Sequence, residues 1–453
     1  MDRTRRFFAA VFGLLLIWSL PGRLTAQVAG GTLSGTITDP SGAVVPKAQI
    51  AIKNLSTGIT RAVTTNSDGF YAAPNLLPGE YTLSCTAPGF SGATGHTTIT
   101  VGAEKVSDFQ LGVGQPQQNV VVQSEAVGVQ FATSDLGGVV GATTVEELPL
   151  NGRSWTDLAA LEPGISGVET QPAFTDPARG NRGFGSQLVI AGARPQNSNY
   201  RLDGISLNDY SNGGPGSVLG GSLGVDAVLE FSVLTTNAPA EYGRTAGGVV
   251  NATTKSGTNA FQGTAYEFLR NSALDAKNFF DVGTIPPFER NQFGGSIGGP
   301  IIRDQTFFFA DYEGIRQAKG ITTVDTVPSP AARTGNLSTG KVVVDPSVQK
   351  YLGLYPLPNG PLLQGGDTDI YTFAAQQIVN ENFFTGRLDH RFSDEDSLFR
   401  TYLFDKAPFL TPDTLNDIQN GSLTERQAMV LEETHIFTPS FVNSLRVGFN
   451  KDL

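Results

Sequence analysis

"RNQFGGSIGGPIIRDQTFFFADYEG", residues 290–314, decides between two architectures. Gly294, Ser296 and Gly298 satisfy G-x-S-x-G, which in hydrolases lifts a nucleophilic serine onto a strand-to-helix elbow beside a histidine and an acid. Here Ser296 is followed by Gly298, Gly299 and Pro300, which open a helix poorly. A second match surrounds Ser222, between Gly220 and Gly224, in an equally glycine-rich stretch. Of the three histidines, His96 stands alone in its region, and His390 and His435 lie in no recognisable catalytic context. The stretch therefore reads as two antiparallel strands, one glycine-rich and one aromatic, joined by a turn at Arg303-Asp304. No enzyme activity is expected.

The rest of the chain agrees with short strands. Its 453 residues allow two or three domains, and 54 glycines and 26 prolines against 16% charged residues favour many turns over long helices. At the N-terminus, Arg3, Arg5 and Arg6 precede an apolar run from Phe7 to Leu20, and Leu24-Thr25-Ala26 stands before Gln27. Residues 1–26 thus read as a secretory signal peptide, with a core too short to span a bilayer as a helix. Four arginines and one aspartate leave with it, so 31 basic and 42 acidic residues become 27 and 41, a net charge of −14. So acidic a chain is a poor nucleic-acid binder. Cys85 is the only cysteine, which excludes an intramolecular disulfide and a cysteine-based zinc site and suggests a small buried hydrophobe in a strand. Nothing marks a bound metal or organic cofactor. No later stretch is apolar enough for a membrane helix, but a barrel leaves a much weaker hydropathy signal.

Residues 32–113 carry turn signals at short intervals: Asp39-Pro40-Ser41-Gly42, Asn54 to Gly58, Ser67-Asp68-Gly69, Pro78-Gly79 and Pro88-Gly89. Between them, "AQIAIKN" and "EYTLSCTA" alternate apolar with polar residues, so about seven strands and a small sandwich are expected. With Gly35, Asp39, Gly42, Pro46, Asp68-Gly69-Phe70-Tyr71, Leu77-Pro78-Gly79 and Tyr81, this module resembles the carboxypeptidase regulatory-like domain, a transthyretin-like β-sandwich also grouped with carbohydrate-binding-like folds. The resemblance implies a fold and no peptidase activity; carbohydrate binding would follow from fold analogy alone.

A Gln-rich junction, "GVGQPQQ" at 112–118, leads into "NVVVQ", which reads equally as an ordinary first strand or as an extended segment able to add to a partner's sheet edge. Three later stretches follow in order: "VEELPLNGRSW" (145–155), "GARPQNSNYRLDGISLND" (192–209) and "EFSVLTTNAPAEYGRTAGGVVNATTKSGTN" (230–259). They resemble the plug domain of TonB-dependent outer-membrane receptors, and a sandwich ahead of the plug resembles the Oar-like branch. A plug over 117–259 is implied, with Asp203-Gly204 in a tight turn and "VVNATTKSG" as a strand running into one. The resemblance also places Val120, Val121 and Val122 where the TonB box lies, the strand that pairs with a periplasmic TonB-like energy-coupling protein. Arg179, Arg182, Arg194 and Arg201 form a basic cluster that could face an anionic ligand in the lumen or simply be solvated.

From 260 onward a barrel wall is expected. In "FFTGRLDHRF" (383–392), Phe384, Gly386, Leu388 and Phe392 share one face, and Thr385, Arg387, Asp389 and Arg391 the other, apolar outward and charged inward. "NSLRVGFN" sets Leu445, Val447 and Phe449 against Ser444, Arg446, Gly448 and Asn450, whereas "LFRTYLFDK" and "MVLEETHIF" alternate poorly. The 194 residues of 260–453 suffice for about six to eight strands, too few to close a barrel of about 22. The chain is thus expected to be the front part of a receptor, mainly β throughout: a transthyretin-like sandwich, an α+β plug and an incomplete transmembrane barrel. It would reside in the outer membrane of a Gram-negative envelope and serve energy-coupled uptake of a surface ligand. The alternative is a secreted or periplasmic carbohydrate- or peptide-binding protein acting through the sandwich, which would be soluble and bind without detergent.

Overall fold

The computed structural model describes residues 30–453 apart from 115–119, 123–135, 142–143, 146–149, 151–152, 171–184, 210–211, 217–223, 239–241, 244, 278–284, 361–362, 364–365, 414, 416–417 and 439–440. Residues 1–26, expected from sequence to be a signal peptide, lie outside the described residues.

The first unit comprises β1 (Gly31–Thr38), β2 (Gln49–Asn54), β3 (Thr60–Thr64), β4 (Phe70–Leu76), β5 (Gly79–Thr86), β6 (Ala93–Ile99), β7 (Glu104–Val106) and β8 (Phe109–Gln110), joined by β9 (Val120–Val122). One sheet runs β4-β1-β7 with β8 also on β1; the other runs β3-β2-β5-β6-β9. Alternate residues point between the sheets, so Leu33, Ile37, Ile50, Ile52, Leu83 and Ile99 are buried. Tyr71 is buried with them and donates its hydroxyl to the Ser107 carbonyl at 2.7 Å, which satisfies the polar tip. Cys85 is fully buried in β5, and burial pushes its thiol up to about 11, leaving it an inert core side chain as its sequence context suggests.

The second unit contains β10 (Leu136–Val140), β11 (Ile165–Thr170), β12 (Gly185–Ile190), β13 (Asn199–Leu202), β14 (Ile205–Ser206), β15 (Val228–Thr236) and β16 (Val249–Thr254). Five form a sheet in the order β10-β15-β16-β13-β14, and β11 and β12 pair separately. Asp203 (φ +47°) and Gly204 (φ +83°) make the two-residue turn between β13 and β14, the left-handed pair such a hairpin requires. Helical structure among the described residues of this unit is mainly short 3-10 turns, such as Trp155–Leu161. Trp155 of that turn packs on Phe231 of β15, with ring centroids 5.2 Å apart.

The third unit is an antiparallel wall of β17 (Gln262–Asn271), β18 (Phe288–Ile302), β19 (Thr306–Pro328), β22 (Thr368–Arg391), β23 (Asp396–Pro412), β24 (Gln419–Thr438) and β25 (Phe441–Asp452), paired in that order. The short pair β20 (Asn336–Leu337) and β21 (Gly340–Lys341) sits in the long connection between β19 and β22. The wall is an open sheet of seven strands, within the range expected from length. No helix among the described residues is long and apolar enough to cross a membrane, which says nothing of strands.

Connections of the wall are unequal at its two ends. Residues 303–305, 392–395 and 439–440 link strands at one end, and 272–287, 329–367 and 413–418 at the other. Outer-membrane barrels have short periplasmic turns and longer external loops. The sandwich meets the short-turn end: the Asn259 amide donates to the Thr57 carbonyl at 2.6 Å and to Asp304 at 2.7 Å, and Asn75 donates to Thr434 at 3.1 Å. At the same end His390 packs edge-on against Phe392, His435 against Phe437, and Phe437 stacks on Phe441, a partial aromatic girdle. Phe384, Leu388, Leu445, Val447 and Phe449 are exposed on the outer face, as the alternation of their segments predicts.

Ser296 lies in the middle of β18, opposite Thr264 of β17, and the two hydroxyls share a hydrogen bond at 2.9 Å. It is on a strand, away from any strand-to-helix elbow. The glycines around it serve packing: a side chain at Gly294 would run into the Tyr312 carbonyl and the Tyr266 hydroxyl. Ser296→Ala is expected to change stability by less than about 0.5 kcal/mol in urea unfolding, since it removes one hydroxyl from a half-exposed pair; a much larger loss would show that the serine has another role.

Candidate functional site: the plug–wall interface

The second unit lies against the inner face of the wall, and one continuous apolar cluster joins them: Trp155, Leu202, Val228, Phe231 and Val250 pack with Ile315, Phe383, Leu403 and Ala428 of the wall. The seam is tight. The cavity between Trp155, Leu202, Gly224, Phe383 and Leu403 holds about 40 Å³.

Two ionic staples flank this cluster. In the first, the Asp203 carboxylate, fully buried in its turn, accepts from the Thr254 amide at 2.9 Å and from the hydroxyls of Thr254 and Thr401, each at 2.7 Å. Arg387 of β22 lies 3.5 Å from Asp203, pairs with Asp389 at 2.8 Å, and donates to the Thr254 carbonyl at 3.2 Å. Its guanidinium stacks over Phe399, 4.4 Å from the centroid. Ser256, just beyond β16, donates to Asp389 at 2.8 Å. One turn and one strand end of the plug are thus bound to β22 and β23.

In the second, Arg153 reaches Asp226 at 3.2 Å and Glu313 of β19 at 3.6 Å, with its guanidinium 3.9 Å above the Tyr266 ring of β17. Glu313 is completely buried and accepts from the Gly224 amide at 3.0 Å and from Gln292 at 2.5 Å. A third contact joins the sandwich to the wall: Glu432 is held by Arg446 at 2.6 Å and Ser444 at 2.6 Å and receives Asn75 at 3.3 Å. Buried charges of this kind are costly unless they are well partnered, so they favour the one seated position in which these partners meet.

The residues singled out in the sequence fall differently. Val120, Val121 and Val122 form β9, paired in parallel with Ala93, Thr94 and Gly95 of β6. Arg179 and Arg182 lie outside the described residues. Arg194 is exposed. Arg201 is buried, donates to the Gly204 carbonyl, and sits 5.7 Å from the Tyr242 ring, so it is engaged within the plug. Arg387 is on the inner face, where the alternation of "FFTGRLDHRF" puts it. Arg153 was missed as a site residue; its only signal was its place in "VEELPLNGRSW".

Three family models match the chain: the carboxypeptidase regulatory-like domain over residues 32–112, the TonB-dependent receptor plug domain over 134–250, and an outer membrane beta barrel domain over 253–453. The TonB-dependent transporter Oar of Myxococcus xanthus is 28% identical over 313 residues, covering 62% of this chain and 26% of Oar. The probable TonB-dependent siderophore receptor PirA of Acinetobacter baumannii is 30% identical over 174 residues, 37% of this chain and 21% of PirA. Among solved structures, the outer membrane transporter YddB from Escherichia coli aligns with 69% of this chain and 38% of its own at 15% identity, with a TM-score of 0.45. The chain therefore spans about a quarter of the length of the first curated relative it matches. With sandwich, plug and wall matched in this order, the chain carries the domains of a TonB-dependent outer-membrane receptor in the Oar-like arrangement.

Proposed function

We propose that the chain serves in an energy-coupled outer-membrane transporter: residues 1–26 direct export, 260–453 contribute to the barrel, 117–259 close its lumen, and 32–113 stand in the periplasm. A ligand captured at the cell surface would pass inward when a periplasmic TonB-like protein, pairing with Val120–Val122, draws the plug off its seat. The observation that carries this reading is the pair of buried ionic staples, Arg387 with Asp203 and Arg153 with Glu313, which hold a separate unit against the inner face of a β-wall. Such a joint stays closed at rest and opens as a unit once its charges are rehydrated. No covalent chemistry is required.

The test is capture of the periplasmic domain of a TonB-type protein by the chain in detergent. The wild-type chain is expected to capture it and Val121→Pro to reduce capture to background, because proline removes a backbone donor from the pairing strand. Equal capture by both would remove Val120–Val122 from this role.

A further inference from the structure

β9 does not stand free. Its residues add as a fifth strand to the sheet β3-β2-β5-β6, with Val120, Val121 and Val122 opposite Ala93, Thr94 and Gly95. The other edge of β6 is already taken by β5, through Cys85–Ala93, Ser84–Thr94 and Leu83–Gly95. The coupling strand therefore covers backbone groups of β6 that would otherwise form an open sheet edge. The approach to this position is also fixed: Val113 bridges Phe90, and the Gly112 carbonyl accepts from the Ser91 amide at 2.8 Å and from its hydroxyl at 3.0 Å. Only residues 114–119 separate that anchor from β9, so the strand is held at high effective concentration beside its edge.

We infer that the sandwich is a latch for the coupling strand: its β6 edge holds Val120–Val122 by strand addition and competes for them with the periplasmic partner. This rests on the reading of these three valines as the TonB box. Backbone pairing of one strand is satisfied from either side by one neighbour at a time on each edge, and the edge bound to β6 is closed to another chain. Three paired residues make a short grip, which a partner offering a longer pairing displaces. The sandwich then sets a threshold for engagement, and it does so without any ligand of its own.

The experiment is a reversible lock. Thr94 and Val121 are directly opposed, Thr94 is half-buried on the face away from the core, and the native Cys85 is buried on the other face. In the full chain, Thr94→Cys/Val121→Cys is expected to cross-link under mild oxidant, scored by mass spectrometry without any partner. The oxidised form is expected to capture the periplasmic domain of a TonB-type protein at least tenfold less than the same protein after reduction. A Gly-Ser insertion between Gln117 and Gln118, which lengthens the tether, is expected to raise capture above wild type. Failure of the cross-link to form, or equal capture by oxidised and reduced chains, overturns the latch alone. Capture that is also indifferent to Val121→Pro removes the coupling-strand reading and the latch with it, while a cross-link formed in the absence of partner would still report the pairing.

Discussion

Arg387→Ala is expected to unseat the plug and lower stability by about 3–5 kcal/mol, the usual cost of removing one partner from a buried ion pair. The side chain of Arg387 is 2% exposed and that of Asp203 is fully buried, so water cannot take over the lost contacts without opening the interface. Asp203 would keep its three hydrogen bonds to Thr254 and Thr401, but its negative charge and that of Asp389 would lose their shared cation. Arg387→Lys should recover only part of the loss, because an ammonium cannot span Asp389, Thr254 and the Phe399 ring with one planar fork. Arg391→Ala is the control: its partner Asp394 is 86% exposed, and exposed pairs contribute within about 1 kcal/mol. Urea unfolding in detergent, with limited proteolysis of the plug as a second readout, separates the two. A shift for Arg387→Ala no larger than for Arg391→Ala would show that the staple does not hold the plug.

The same interface explains what could be read from the sequence and what could not. β22 and β25 were legible because their outer faces are apolar and their inner faces largely polar, Thr385 and Arg387 in one and Ser444 and Arg446 in the other. β23 and β24 are equally regular, yet "LFRTYLFDK" and "MVLEETHIF" hide it. Leu403, Ala407 and Phe409 of β23 and Ala428 and Val430 of β24 all point inward and are buried against the plug side, so a wall strand with apolar residues on both faces loses its period-two contrast in sequence. Phe383 is buried for the same reason, one residue before the exposed Phe384. The sandwich was legible because its turns need particular residues, such as Gly69 at φ +67°. The staples were legible only in halves: alternation put Arg387 inward and turn chemistry put Asp203 in a hairpin, but nothing local says that these distant residues meet. Of the four arginines expected to form a basic cluster, the two described ones sit in different surroundings: Arg194 is exposed, and Arg201 is engaged by Gly204 and Tyr242.

Between pH 4.5 and 7 the hold of the sandwich on the plug is expected to weaken through one carboxyl, Glu230 of β15. It is 7% exposed and accepts a hydrogen bond from the Val101 amide of the sandwich, and burial pushes it up to about 7. The folded chain therefore keeps the proton up to about pH 7, whereas the unfolded chain releases it near the ordinary value of 4.5. Stability from this group is complete below about 4.5, falls as pH rises, and is gone above about 7. At about 1.4 kcal/mol per pH unit the loss is roughly 3 kcal/mol. Glu230→Gln cannot ionise and keeps an oxygen for Val101, so it should match the wild type near pH 4.5 and exceed it by most of that amount at pH 8. Many other carboxylates titrate over this range, which is why the informative quantity is the difference between wild type and Glu230→Gln in parallel unfolding curves. A difference that stays constant from pH 4.5 to 8 would mean that Glu230 is already ionised in the folded chain, with water or a cation at the sandwich–plug contact. A difference that grows with pH would identify the contact as one that tightens with acid, since the charge appears where the backbone of one unit meets the sheet of the next.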